Sequence, residues 1–146
     1  MQSTSRTDIE LATRLRDAIA RTGRRLRQEA RTGLSPSLLM ALASIEREGP
    51  LTPSELAARE RIQRPTATRI LARLEEAGLV SRAPDPADRR SSLVSATADG
   101  RALLEESRTR KDAYLSARLE ELPAEDHATL ARAAALLERM LAEPDA

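Results

Sequence analysis

The chain has 146 residues, a formal net charge of +1 and 40% hydrophobic residues, a size and composition typical of one domain with a real core. It has no cysteine, which excludes disulfides, thiolate metal sites and thiol redox sensing. No apolar run approaches the roughly 20 residues of a membrane span, and the N-terminus lacks the apolar stretch of a signal peptide. We therefore expect a cytoplasmic protein with no membrane partner.

Two helices are predicted first, after a disordered N-terminus of residues 1–7. From about residue 8 to residue 31, Ile, Leu and Ala recur near helical spacing, and Gly33 ends this first helix. Ser35 and Pro36 then suit the N-cap and the first position of a second helix, which Gly49-Pro50 stops.

A helix-turn-helix pattern follows. Thr52 and Glu55 form a predicted capping box, in which the Thr52 hydroxyl accepts from the amide of Glu55 and the Glu55 carboxylate reaches back to the amide of Thr52. The third helix should run from Pro53 to about residue 60, and the fourth from Arg64 to about residue 77, with a tight turn between them. Two short helices joined by so few residues are typical of a helix-turn-helix.

Residues 80–97 predict a β-hairpin. Two runs that suit strands flank a loop with two prolines, two aspartates and two adjacent arginines. Pro and Asp favour turns, whereas Val, Leu and Thr tolerate extended backbone. Because the hairpin directly follows the helix-turn-helix, the order predicts a winged helix. The expected fold is mainly α with a small β-hairpin wing.

Two further helices complete the predicted chain. Thr97-Ala98-Asp99 should cap a long helix that runs to about Glu121, and Leu122-Pro123 should break it. The last helix is predicted from about Ala124 to Ala142, where Leu and Ala recur at helical spacing.

The fourth helix and the hairpin tip carry the residue types that DNA recognition needs. Arg pairs bidentately with guanine, and Thr bonds base edges or meets the thymine methyl. Arginines at a wing tip can enter the minor groove or contact phosphates, and Asp88 can hold one of them by a charge-assisted bond. The candidate DNA-binding residues are Arg64, Pro65, Thr66, Thr68, Arg69, Arg73, Arg89 and Arg90. The plainer alternative is an amphipathic helix with a solvated face, beside a merely charged hairpin.

The placement of charge favours DNA. Residues 59–93 hold eight arginines and five acids, whereas residues 112–146 hold three arginines and eight acids. A GC-rich genome would explain Arg in place of Lys, but it would not explain this distribution. The alternative function is a winged-helix module that binds another protein. An acidic or apolar face on the fourth helix would favour that alternative, and the sequence has none.

The run from Leu56 to Thr97 resembles the winged helix-turn-helix of the multiple-antibiotic-resistance regulator (MarR) family of bacterial transcription factors. The helix order on both sides fits as well. The chain departs from the family pattern at Glu60-Arg61, where Leu-Gly is common, and at Gln63, where a capping Ser is usual. The matching pieces are Leu56-Ala57, Arg64-Pro65-Thr66-Ala67-Thr68-Arg69, Leu74-Glu75-Glu76-Ala77-Gly78-Leu79-Val80, Asp88-Arg89-Arg90, Val94 and Thr97.

The resemblance implies a transcriptional regulator, most simply a repressor, that binds double-stranded DNA at a pseudo-palindromic operator as a homodimer. It implies that Thr66, Thr68 and Arg69 face bases, that Arg90 is the wing arginine, and that a small aromatic or anionic ligand can release DNA. The expected organisation is a single intertwined domain, with residues 35–97 as the DNA-binding lobe and residues 8–34 and 98–146 as the dimerisation region.

Enzymatic chemistry has little support in the sequence. The single histidine, His127, has no Cys or second His as partner, so a solvated or capping role is expected. Paired acids such as Glu105-Glu106 are adjacent in a helix, and their side chains diverge. There is no phosphate-binding glycine loop and no nucleophile elbow. We therefore expect no enzyme, no cofactor and no metal.

Overall fold

The computed structural model describes residues 5–142 of the chain. It confirms the expected fold class, because six helices and one antiparallel hairpin make up the described residues. In chain order the elements are α1 (Arg6–Ala30), α2 (Pro36–Glu48), α3 (Pro53–Glu60), α4 (Arg64–Glu76), β1 (Val80–Asp85), β2 (Asp88–Ala96), α5 (Ala98–Glu120) and α6 (Ala124–Ala142).

The first helix begins earlier than predicted. The Ser5 hydroxyl accepts from the Thr7 amide at 3.1 Å, and the Ser5 amide donates to the Asp8 carboxylate at 3.3 Å, which together form a capping box. Helix α1 therefore starts at Arg6, and the prediction of disorder is wrong for residues 5–7. Residues 1–4 lie outside the described residues.

The other predicted helix starts are confirmed. The Ser35 hydroxyl accepts from the Leu38 amide, and the Thr52 hydroxyl accepts from the Glu55 amide at 3.1 Å. One detail of the Thr52 cap was wrong: the Glu55 carboxylate accepts from the Thr52 hydroxyl at 3.2 Å, and not from its amide. The hydroxyl therefore donates and accepts within the same cap.

Backbone packing divides the chain after Lys111, inside α5, into two units. The first unit contains one aliphatic core, to which α2, α3, α4, the hairpin and the start of α5 contribute. Burying each Leu or Ile of this core contributes about 1.5–3 kcal/mol. The predicted grouping of residues 8–34 with residues 98–146 stays a prediction. The largest fully buried apolar side chains are Leu42, Ile45, Leu51, Leu56, Leu71, Leu74 and Val94.

The hairpin is fastened to this core. Its register runs from Val80 opposite Ala96 to Pro84 opposite Ser92, and it shifts at Asp85. Leu51, between α2 and α3, adds a short bridge: its amide donates to the Val94 carbonyl at 3.0 Å, and its carbonyl accepts from the Val94 amide at 2.8 Å. The base of the wing is therefore fixed to the helices, while its tip extends into solvent.

The second unit consists of the end of α5 and helix α6. The two helices are separated at Leu122-Pro123, as the sequence predicts. None of the side chains of α6 is buried, although Leu and Ala dominate its sequence. An apolar helix left uncovered in this way is normally covered by another surface.

Candidate nucleic-acid interface

Helix α4 is held in place by one aliphatic face. Ala67, Ile70, Leu71 and Leu74 point into the core and are at most 9% exposed. This spacing of three, one and three residues follows the turns of an α-helix. The rest of the helix surface is therefore free to meet a partner.

The opposite face of α4 presents the candidate residues that the sequence predicts. Arg64, Pro65, Thr68, Arg69 and Arg73 are exposed, and Thr66 is half-buried. The Thr68 hydroxyl donates to the Arg64 carbonyl at 3.0 Å, one turn back in the same helix. Its methyl group and the acceptor lone pairs of its hydroxyl remain for a partner.

A cleft of about 240 Å³ lies between α4 and the start of α2. Thr66, Arg69 and Arg73 line it from α4, and Ser35 and Ser37 line it from α2. The sequence did not place α2 at this surface, although its Ser-Pro-Ser start was visible as a cap. The start of α2 thus borders the arginines of α4.

The unusual turn before α4 has a structural reason. Arg61 adopts the left-handed conformation, with φ of 53°, which explains why glycine is common at this position. Glu60, in place of the usual Leu, accepts a hydrogen bond from the hydroxyl of Ser44, a buried residue of α2. Gln63 makes no side-chain cap bond, so Pro65 in the first turn supplies the start signal.

The wing tip carries two exposed arginines on an aspartate-stabilised turn. The Asp85 carboxylate accepts from the Ala87 amide, and the Asp88 carboxylate accepts from the Arg90 amide, both at 2.9 Å. Asp88 was predicted to hold an arginine side chain, but it holds the backbone of Arg90 instead. Within residues 5–142, no carboxylate is paired with the side chain of Arg89 or Arg90.

A third arginine of this region, Arg82, has a different role. Its Nε lies 2.5 Å from a carboxylate oxygen of Glu75, which links strand β1 to the last turn of α4. The count of basic residues in the sequence had included Arg82 with the DNA-facing charges. Because Glu75 neutralises it, the exposed positive charge belongs to the fourth helix and the wing tip.

The single histidine of the chain, His127, lies in the second unit. His127 Nε2 donates to the carbonyl of Leu119, in the last turn of α5, at 2.5 Å, so the histidine caps a helix end. A hydrogen bond with Tyr114 raises the pKa of Arg118 above its usual value, in the second unit and not at the interface. Across residues 5–142, no three acidic or histidine side chains cluster as metal ligands would.

The comparisons with known proteins agree with this geometry. Residues 34–92 match the model of the MarR family. The uncharacterized HTH-type transcriptional regulator Mb0904 of Mycobacterium bovis is 38% identical over 131 residues, which cover 89% of this chain and 92% of that protein. The HTH-type transcriptional repressor MdtR of Bacillus subtilis is 35% identical over 74 residues, which cover 51% of this chain and 48% of MdtR.

A solved structure has the same fold over nearly the whole chain. A crystal structure of a protein from Pseudomonas aeruginosa superposes with a TM-score of 0.86 at 35% identity, over 95% of this chain and 99% of that one. A helix-turn-helix with an exposed basic face, followed by an arginine-tipped hairpin, defines a winged-helix DNA-binding transcriptional regulator. The chain belongs to the MarR family.

Every helix in residues 5–142 is too short or too polar to span a lipid bilayer. The regulators of this family bind DNA and act as dimers.

Proposed function

We propose that this protein is a cytoplasmic homodimeric repressor that binds a pseudo-palindromic operator in double-stranded DNA. The observation that carries the proposal is the pairing of two arginine-bearing surfaces: the exposed face of α4 and the tip of the wing. An α-helix fits the major groove, and a hairpin beside it reaches the backbone or the minor groove. The similarity to MdtR, a transcriptional repressor, supports repression rather than activation.

The roles of the candidate residues follow from their positions. Thr68 and Arg69 occupy the exposed face of α4 and read base edges, together with Thr66 beside them. Arg90 enters the minor groove or meets phosphates. Asp88 shapes the turn of the wing. The remaining candidate residues contact phosphates or support the docking of the helix: Arg64, Pro65, Arg73 and Arg89.

A ligand site fits beside this lobe. A cavity of about 310 Å³ lies among α1, α2 and α5, with an apolar wall that includes Leu26, Leu39 and Leu104. Arg27 and Lys111 line the same cavity, so an aromatic anion suits it. Such a ligand releases DNA only if it binds the DNA-free conformation more tightly.

The test of DNA binding is operator selection from random duplexes. The selected sites should contain two half-sites about one helical turn apart, roughly 10 bp, or a near multiple of that distance. Affinity should fall steeply with salt, because each phosphate contact releases counterions. Selection of sites without a dyad, or a flat response to salt, would contradict the proposal.

Two variants then separate the two surfaces. Arg69→Ala removes a base contact and should weaken binding to the selected site by about 1–3 kcal/mol while relaxing its sequence preference. Arg90→Ala should weaken all sequences more evenly, or weaken A·T-flanked sites most if Arg90 enters the minor groove. Wild-type affinity in both variants would refute the assigned DNA surface.

A further inference from the structure

The end of α4 is locked by its own backbone. The amide of Gly78 donates to the carbonyl of Glu75, and the amide of Leu79 donates to the carbonyl of Leu74, both at 2.9 Å. With Gly78 at φ of 74°, this is a Schellman motif, which needs a residue that tolerates the left-handed region. The carbonyls of Gly78 and Leu79 then point beyond the helix.

Both of those carbonyls accept hydrogen bonds from one residue, Thr97. The Thr97 hydroxyl donates to the Gly78 carbonyl at 2.7 Å, and the Thr97 amide donates to the Leu79 carbonyl at 3.0 Å. The same hydroxyl oxygen accepts from the Gly100 amide at 3.1 Å, in the first turn of α5. One side chain therefore caps α5 and fastens the end of α4 to it.

Gly100 lets the two backbones approach closely. A Cβ atom at this position would lie 2.2 Å from the carbonyl oxygen of Leu79 and 3.3 Å from Cδ1 of Leu42. Since the closer atom belongs to the backbone, it cannot rotate away as a side chain would. The backbone of the first turn of α5 thus packs directly against the segment that follows α4, and Gly100 leaves no side chain between them.

We propose that Thr97 and Gly100 are positioning residues for DNA recognition, which set the angle between the recognition helix and α5. The inference rests on the proposed function, because an operator with two half-sites demands two recognition helices at a fixed separation. Helix α5 is a single helix from Ala98 to Glu120, so a link at its first turn fixes how α4 lies relative to the start of that helix. The hydrogen bonds of Thr97 and the close backbone contact at Gly100 form that link.

The decisive variants separate the cap from the link. Thr97→Asp introduces a carboxylate that can still accept from the Gly100 amide, but an ionised carboxylate cannot donate to the Gly78 carbonyl. Thr97→Val is neutral and removes both side-chain hydrogen bonds, to Gly78 and from Gly100, whereas Thr97→Ser keeps both. Thr109 provides the controls Thr109→Asp and Thr109→Val, because its exposed hydroxyl bonds only within α5, to the Glu105 carbonyl at 3.0 Å.

The readouts are affinity for the selected operator, affinity for an isolated half-site, and the effect of inserting base pairs between the half-sites. Thr97→Asp and Thr97→Val should weaken operator binding by about tenfold, and they should discriminate less between spacings than the wild type does. Their affinity for an isolated half-site should change much less. Thr97→Ser and both Thr109 variants should behave as the wild type.

Two results would overturn the inference. Unchanged affinity and spacing preference in Thr97→Asp would show that the hydrogen bond from the Thr97 side chain to Gly78 does not position α4. An equal loss on the operator and on the isolated half-site would show that Thr97 supports only the fold of the lobe. If Thr97→Val fails to fold, Thr97→Asp with its retained cap decides between these results. Failure of the wild type to bind any dyadic duplex would instead refute the proposed function.

Discussion

At the scale of single residues, we propose that Thr68 meets a bound duplex with its methyl group rather than with a hydrogen-bond donor. Its hydroxyl proton is committed to the Arg64 carbonyl at 3.0 Å. The exposed position of Thr68 on α4 keeps the methyl group accessible. Thymine exposes an apolar methyl group in the major groove, so the methyl group of Thr68 is suited to contact a thymine.

Two substitutions of Thr68 should therefore act in the order opposite to that expected of a donor. Thr68→Val keeps the methyl group, replaces the hydroxyl with a second methyl, and should bind the operator within about twofold of the wild type. Thr68→Ser keeps the hydroxyl and loses the methyl, which should cost about 0.8 kcal/mol at each half-site. Fluorescence anisotropy with the selected operator measures both, and a stronger loss in Thr68→Val would show that the hydroxyl reads a base.

At the scale of elements, the turn of the wing depends on an acid, Asp88, next to the arginines that we propose contact DNA. Asp88 would repel a DNA backbone, yet its carboxylate accepts from the Arg90 amide at 2.9 Å and so shapes the strand that presents Arg90. We infer that Asp88 acts in the wing as a hydrogen-bond acceptor, and not through its negative charge. A neutral acceptor should serve as well.

Asp88→Asn and Asp88→Ala test this distinction. Asp88→Asn retains an amide oxygen as acceptor and should bind DNA at least as tightly as the wild type, because a repulsive charge is gone. Asp88→Ala should lose about 0.5–1.5 kcal/mol of operator binding. If both variants bind equally weakly, the carboxylate acts through its charge, as the sequence had suggested.

The elements of this fold were predictable from sequence where their signals are local. Caps at Ser35 and Thr52, the glycine after α4 and the turn residues of the wing lie within a few positions of the structure they produce. The start of α1 was missed although Ser5 and Asp8 carry a local signal. Contacts between elements could not be predicted, because Arg82 meets Glu75 and Thr97 meets Gly78 only after the helices and hairpin pack.

At the scale of the whole molecule, α1 and α6 each expose large apolar side chains. On α1, Ile9 and Ile19 are more than half exposed, and on α6, Leu136 is 49% exposed and Met140 is 67% exposed. Apolar helix faces of this kind are normally buried by a second subunit, and a two-fold axis uses each residue twice. The aliphatic surface of the chain therefore supports the proposed dimer.

A charge on this surface should separate the subunits. Leu136→Glu removes a burial worth about 1.5–3 kcal/mol on each side of a symmetric interface, so the dimer dissociation constant should rise by at least about a hundredfold. Light scattering at micromolar concentration should show a dimer for the wild type and a monomer for the variant. Glu138→Arg, a charge change at an exposed position about 200° around α6 from Leu136, is the control. A folded wild-type monomer would contradict the dimer.

The cavity among α1, α2 and α5 has a chemical peculiarity: Lys111, which lines it, is the only lysine of the chain. Every other basic side chain, including all those at the candidate DNA surface, is an arginine or the single histidine. Acetylation of lysine, which abolishes a positive charge, thus has no target on the recognition helix or the wing. Its one side-chain target lies at the cavity, where an occupying anion should shield the amine from acylating reagents.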